Sequence, residues 1–364
     1  VLDNATLEVL VMIDIYLPGN VDFAHNGNIA LMPTRCEITA TINGAWTLEL
    51  EHHIDVDNRW ANIVEEAVLK VPTWQADKQL YRIATVKKDA YGVTATAYPT
   101  FMDTANNVFI MDKRPTNKTG QEALDILLSG TGYTGISDLG QGSAYFVRRN
   151  FIDLLCGRES PTFLERWGGE IEYDNKTIRV MTRLGADHGV EIRYGKNISA
   201  ISYDVDTSVL ATRIVPLAFN GRKMSGLGYV DSPEIGAHPI IYTKVVNFDA
   251  IRLQEDIQEG EDTTGYTICA DQAALDVALD EAARSCFVNM PDISLDVDML
   301  TLDDPALGSV TLGDTIFVRY SKLGISTKLR AMSVTWDCIR KRPIKFVIGQ
   351  VKKGYVETVA RAVM

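Results

Sequence analysis

Glycines at 130, 132, 135, 140 and 142 crowd one short stretch, and Gly130-Thr131-Gly132-Tyr133-Thr134-Gly135 has the outline of a phosphate-cradling loop. Such a loop aims backbone N–H groups at phosphate oxygens. It needs a following Gly-Lys-Ser/Thr, or the strand–loop–helix spacing of a dinucleotide fold. Neither follows, so the stretch reads as a glycine-rich turn. The histidines are His25, His52, His53, His188 and His238. His52 and His53 follow Glu51, but His-Glu-x-x-His is absent, and strand neighbours point to opposite faces and do not clasp one metal. They read as solvated or hydrogen-bonded side chains. Asp204, Asp206 and Ser208 imitate the start of a calcium loop. Val209 stands where that loop needs glycine and no glutamate closes it, so an EF-hand is rejected.

Glu170, Glu172 and Asp174 alternate with Ile171 and Tyr173, which is how the solvent face of a hairpin looks. Sugar hydrolysis needs two carboxylates about 5–9 Å apart across a cleft, and nothing marks two of the 48 acids. There is no Gly-x-Ser-x-Gly and no signature that places a Cys/His pair. Cys36, Cys156, Cys269, Cys286 and Cys338 are widely spaced, with no Cys-x-x-Cys. They read as isolated buried thiols of a protein assembled in a reducing cytoplasm. No catalytic residue, metal ligand or cofactor is therefore expected. Two positions carry architectural weight. Arg213 shares a strand face with Ala211 and Val215, and is read as an arginine neutralised by a nearby acid or as an interface fork for a carboxylate. Trp167 precedes Gly168-Gly169 and is read as a core aromatic against a tight turn.

The elements that hold these residues are mostly strands. Ile38, Ala40 and Ile42 alternate up to Asn43-Gly44, and Trp46, Leu48 and Leu50 alternate after it, which predicts a hairpin. Leu80–Val86 and Val93–Tyr98 predict a second one. Thr119 and Glu122 have capping-box spacing ahead of a helix that Gly130 ends. A second helix is predicted with Ser160 as its cap and Pro161 at its first position, stopped by Gly168-Gly169. A hairpin turned by Asp174-Asn175 follows, then a domain crossing from Gly185 to Asn197, with Gly195-Lys196-Asn197 as a turn. Residues 199–217 read as one long alternating strand and 219–239 as a glycine-rich arm. Asp271 caps a helix running to about Cys286, with Ala274, Leu275, Ala278, Leu279 and Ala282 as its apolar stripe. The end is again β, through Ile316, Val318 and Tyr320 to Ile344, Phe346 and Ile348.

The fold class expected is α+β, mostly β: two small antiparallel β-barrels with an inserted α/β domain and a helical excursion. The divisions are 1–105, first barrel; 106–192, α/β domain; 193–250 and 290–350, second barrel; and 251–289, excursion. Residues 351–364 read as a tail or a linker to a further domain.

Composition narrows the function. Hydrophobic content of 46% supports real cores, and the 364-residue length suits two to four domains. The formal charge of -12 argues against a surface that coats nucleic acid. No apolar run approaches the roughly 18–20 residues that span a bilayer, and no basic leader with an apolar core suggests a signal peptide.

An ordered series of segments carries a resemblance. "NGAWTLELEHHID", "YRIATVKK" and "VTATAYPTFMDTANN" open it. "RWGGEIEYDNKTIRV", "GVEIRYGKNISAISYDVDTSVLATRIVPLA" and "GYVDSP" continue it, and "VTLGDTIFVRY" and "VIGQV" close it. The series resembles the prophage endopeptidase tail family, tail-tip proteins of phages and prophages of Gram-positive bacteria. The resemblance implies a structural tail-tip or baseplate hub of a siphophage-like tail. Such a hub is a homotrimer whose six barrels form a ring that closes the tail tube. It implies as partners the distal tail protein and tail tube, the tape measure protein, and tail fibre or receptor-binding proteins, with DNA only in transit through the channel. It places the protein at the distal tip of the virion after assembly in the bacterial cytoplasm. The alternative is a tail-associated peptidoglycan hydrolase or endopeptidase, for which these residues supply no nucleophile or metal set.

Overall fold

A computed structural model describes residues 12–75, 78–193, 198–299 and 308–349. The turn expected at 195–197 and the tail at 351–364 lie outside the described residues.

Strand Ile325–Asp337 joins the N-terminal and C-terminal β regions. It is 13 residues long, enough to serve different partners along its length. Its first half pairs with Thr315–Tyr320, Tyr320 opposite Ile325 and Thr315 opposite Arg330. Its second half pairs with Arg35–Thr41, Thr41 opposite Ser333 and Glu37 opposite Asp337. Its other edge takes Arg342–Gly349. Register shifts beside Met332 change the phase of alternation, so Ser333 and Val334 are both buried. Hydroxyls stitch the junction: Thr41 donates to Ser333 Oγ at 3.0 Å, and Ser333 to Ala40 O at 3.0 Å.

From this strand the sheet runs both ways. Toward the N-terminal residues it continues through Arg35–Thr41, Trp46–His53, Gly92–Pro99, Gln79–Lys88, Val68–Val71, Ile13–Tyr16 and Ile29–Leu31. On the other side it continues through Arg342–Gly349, Asp292–Met299 and Ile198–Asp206, while Asp187–Arg193 lies parallel on Thr315–Tyr320. Together these make one 13-stranded sheet. Two separate barrels were the expectation. Instead the β regions share a continuous sheet, and no pairing among the described residues closes either one. Period-2 alternation sets which face of a strand is buried but not which strand lies beside it.

The α/β unit leans on this sheet. Helix Gly120–Leu128 begins at the predicted capping box, Thr119 with Glu122, and buries Ala123, Leu124, Leu127 and Leu128. Thr134–Ser137 runs parallel to Thr177–Met181, which pairs with Glu170–Asp174. The next predicted helix starts later than expected. Thr162, not Ser160, caps Phe163–Trp167, because Glu165 completes a second capping box there. Aromatic rings fuse the unit to the sheet: Trp46 lies 5.4 Å from Trp74 and 5.3 Å from Tyr173, and Trp74 lies 6.0 Å from Trp336. Each such ring buries a large apolar area.

The stretch expected as one strand from 199 to 217 is two. Ile198–Asp206 belongs to the large sheet; Arg213–Ala218 lies between Val230–Asp231 and Thr243–Phe248 in a sheet of its own. Asp206 accepts from Ser208 N–H at 2.8 Å, and that turn diverts the chain. Helix Gln272–Ser285, capped by Asp271 as predicted, packs with these strands and with the parallel pair Ile251–Leu253 and Thr267–Cys269. Residues 207–291 thus carry two small cores, one around Leu275 and Leu279 and one around Ile214 and Ala283.

Candidate assembly surface

The residues singled out for chemistry mostly build seams. Glu170 was expected on a solvent face and is buried instead. Arg330 grips it with both guanidinium ends, at 2.7 and 2.8 Å, and Leu184 N–H donates to it at 2.7 Å. The same arginine donates to Leu184 O at 2.9 Å and Gly313 O at 3.1 Å. At Glu170 the hairpin therefore faces the C-terminal strands, not water. Alternation marks the opposite face but does not say what covers it. Burial pushes the neighbouring Glu172 carboxyl up. Asp174 accepts from Gln79 at 2.8 Å, and Asn175 Oδ1 accepts from Leu80 N–H at 2.8 Å, so the hairpin tip docks on the first β region.

Two glycines make a second seam possible. A Cβ on Gly185 would lie 2.2 Å from the carbonyl carbon of Gly313, and one on Gly313 would lie 2.6 Å from Leu184 O. Beside them buried Asp314 accepts from Ala186 N–H and Thr311 N–H, both at 2.7 Å. The predicted turn residue Asn43 adds a third clamp. Its amide donates to Gly169 O and accepts from Ile171 N–H, both at 2.9 Å. Trp167 is core, as read, stacked on Phe163 at 4.8 Å and donating to Lys118 O at 2.8 Å.

The remaining candidates stay apart. His52 is buried, takes Met32 N–H on Nε2 at 3.3 Å and faces His53 O through Nδ1 at 2.6 Å. His53 is exposed on the other face. Among the described residues no His, Cys, Asp and Glu come together as a metal cluster. Cys36 and Cys338 are neighbours in the core, and burial holds the Cys338 thiol well above its usual range and pushes Cys156 up to about 12. Thiols in that state are protonated at neutral pH and poor nucleophiles.

Arg213 has its carboxylate within the chain. Its Nε and Nη2 reach Asp231 at 2.6 and 2.8 Å, across the register pair Arg213–Asp231, and its guanidinium lies 3.8 Å from the Tyr229 ring centre. The hydrogen bonds raise the Arg213 pKa and hold Asp231 below the usual carboxylate range. The neighbouring strand is less satisfied. Thr243–Phe248 is the outer strand of its sheet, with no partner on its far edge among the described residues. Val245 is 64% exposed, and Ile240 and Ile241 before it are 59% and 49% exposed. An unpaired edge flanked by exposed β-branched side chains is a template for another chain.

The comparisons agree with this architecture. Residues 186–357 match the prophage endopeptidase tail family. That span holds the parallel strand Asp187–Arg193, the module at 207–291 and the junction strand. The whole fold has relatives. The prophage tail protein gp18 of Listeria monocytogenes superposes with a TM-score of 0.60 at 15% identity, over 97% of this chain and 98% of that one. The 43 kDa tail protein of prophage MuSo2 from Shewanella oneidensis gives 0.58 at 11% identity, over 93% and 98%. A tail protein of Neisseria meningitidis gives 0.55 at 11% identity, over 96% and 98%. No curated protein matches the chain significantly. The chain resembles prophage tail proteins in sequence over that C-terminal span and in fold throughout.

Proposed function

We propose that this protein is an architectural subunit of a phage tail, a tail-tip hub that forms a homotrimeric ring closing the tail tube. The observation that carries this reading is end-to-end likeness: prophage tail proteins share the fold over nearly the full length of both chains. A hub needs rigid subunits and edges to join them. Rigidity comes from the single sheet running between chain ends and from the clamps at Glu170, Asn43 and Asp314. A joining edge is offered by Thr243–Phe248 and the apolar residues before it. In this reading the two β regions, 13–99 and 187–206 with 292–349, take the pseudo-equivalent places of a sixfold ring. The distal tail protein, tail tube, tape measure and fibre proteins are its neighbours, and DNA passes through the axis.

Charge constrains the ring. Each copy carries -12, so contacts must be apolar or locally paired. The Ile240, Ile241 and Val245 strip meets that need. Each contact should bury over about 1,000 Å². Light scattering at rising protein concentration tests the reading. A shift toward three chains per particle supports it, and a stable dimer would exclude a threefold hub.

A further inference from the structure

Loop 262–266 of the module lies across the α/β unit. Between them opens a cleft of about 540 Å³, lined by Thr116, Asn117, Ser143, Arg166, Thr263 and Tyr266 among others. The approach depends on Gly265, with φ 81°, where a Cβ would lie 2.9 Å from Ser143 O. The walls are fixed. Arg166 Nη1 donates to Gly265 O at 2.8 Å, and Asn117 N–H donates to Ser143 Oγ at 2.9 Å. Arg114 pairs with Asp262 at 2.5 Å and lies 4.0 Å from the Tyr145 ring centre.

Charge picks out Arg166. Arg82, Arg149, Arg213, Arg222, Arg252 and Arg330 are buried or half-buried, and each holds a carboxylate. Half-buried Arg166 holds a backbone carbonyl, and no carboxylate lines the cleft. In a chain with 48 acids against 36 bases, that is an uncommon environment. A guanidinium drawn partly out of water favours an anion, and its planar fork suits phosphate or carboxylate. The other walls are hydroxyls and an amide, which exchange hydrogen bonds with a ligand's own hydroxyls.

We propose that this cleft binds a small anion bearing hydroxyl groups, a phosphate- or carboxylate-carrying polyol or sugar, with Arg166 taking the charged group. The ligand bridges the module and the α/β unit. The inference goes beyond the architectural role and does not depend on it.

Calorimetry on the full chain tests it with glycerol 3-phosphate and glucuronate, against glycerol and inorganic phosphate. At least one anionic polyol is expected to bind about tenfold more tightly than either control, the worth of one charge-assisted hydrogen bond. Arg166→Gln should weaken binding by about tenfold or more, and Arg166→Lys should keep part of it. Thr263→Trp fills the space, leaves Arg166 in place and should abolish binding. Thermal melts establish that each variant is folded, and if Arg166→Gln is not, Thr263→Trp decides. No binding at millimolar ligand, equal binding of glycerol, equal binding of bare phosphate, or unchanged affinity in Thr263→Trp would overturn the proposal.

Discussion

Arg330 and Glu170 hold a charge pair with side chains 16% and 7% exposed. Removing one partner strands the other charge without water, which costs about 3–5 kcal/mol. Arg330→Met is expected to lose that much in urea unfolding. The double variant Glu170→Leu/Arg330→Met should recover part of the loss, since no charge is left buried; equal loss in both would disprove the charge argument. Asn43 offers a cleaner deletion, because its φ of 50° suits glycine. Asn43→Gly removes only the amide clamp and should cost about 1–3 kcal/mol. In the module, hydrogen bonds from Arg213, Arg222 and Ser225 hold Asp231, Asp256 and Asp276 below their usual range. A depressed carboxylate contributes stability above its unfolded pKa, about 3.9, and loses it as pH falls through the folded value. Residues 207–291 should therefore lose hydrogen-exchange protection below about pH 4 before Arg35–Thr41 does. Simultaneous loss would contradict this.

At the scale of elements, contact and backbone strain can be separated. Gly185 and Gly324 share a φ of 67°, but only Gly185 meets another backbone. Gly324→Ala should cost about 1 kcal/mol for strain alone, and Gly185→Ala substantially more, with the 182–187 segment displaced. Equal melting shifts would mean the Gly185–Gly313 contact does not matter. Much of this level was legible in the sequence. The Asn43 hairpin, the Thr119–Glu122 capping box and the Asp271 cap are local signals, set by spacing of two to four residues, and all three stand where expected. What was not legible is non-local. Residues 199–217 alternate throughout, yet the turn at Asp206–Ser208 sends the two halves to different sheets. Glu170 looked solvated because its partner lies 160 residues away. Trp46, Trp74 and Trp336 lie far apart in sequence, and their rings meet once the junction strand pairs with Arg35–Thr41. Arg213 was recognised as needing an acid, but nothing in its spacing pointed to Asp231.

At the scale of the molecule, the exposed edge is the contact that the proposed ring would use. Val245 and Ile241 are exposed, so Ile241→Asp with Val245→Asp should change folding stability by about 0.5 kcal/mol or less each. In the proposed ring the same change would place charge on a contact between acidic chains and should abolish trimers. Unaltered assembly would remove this edge from the interface. Release of soluble muropeptides from cell walls by the protein, abolished by one point substitution, would favour the hydrolase reading over the architectural one.

The central claim is a threefold hub at the tail tip, and cryo-electron microscopy of induced prophage particles tests it most directly. Three copies of this fold should surround the tail axis, joined through the Thr243–Phe248 edge. One copy, six copies, or this fold found away from the tip would contradict the account.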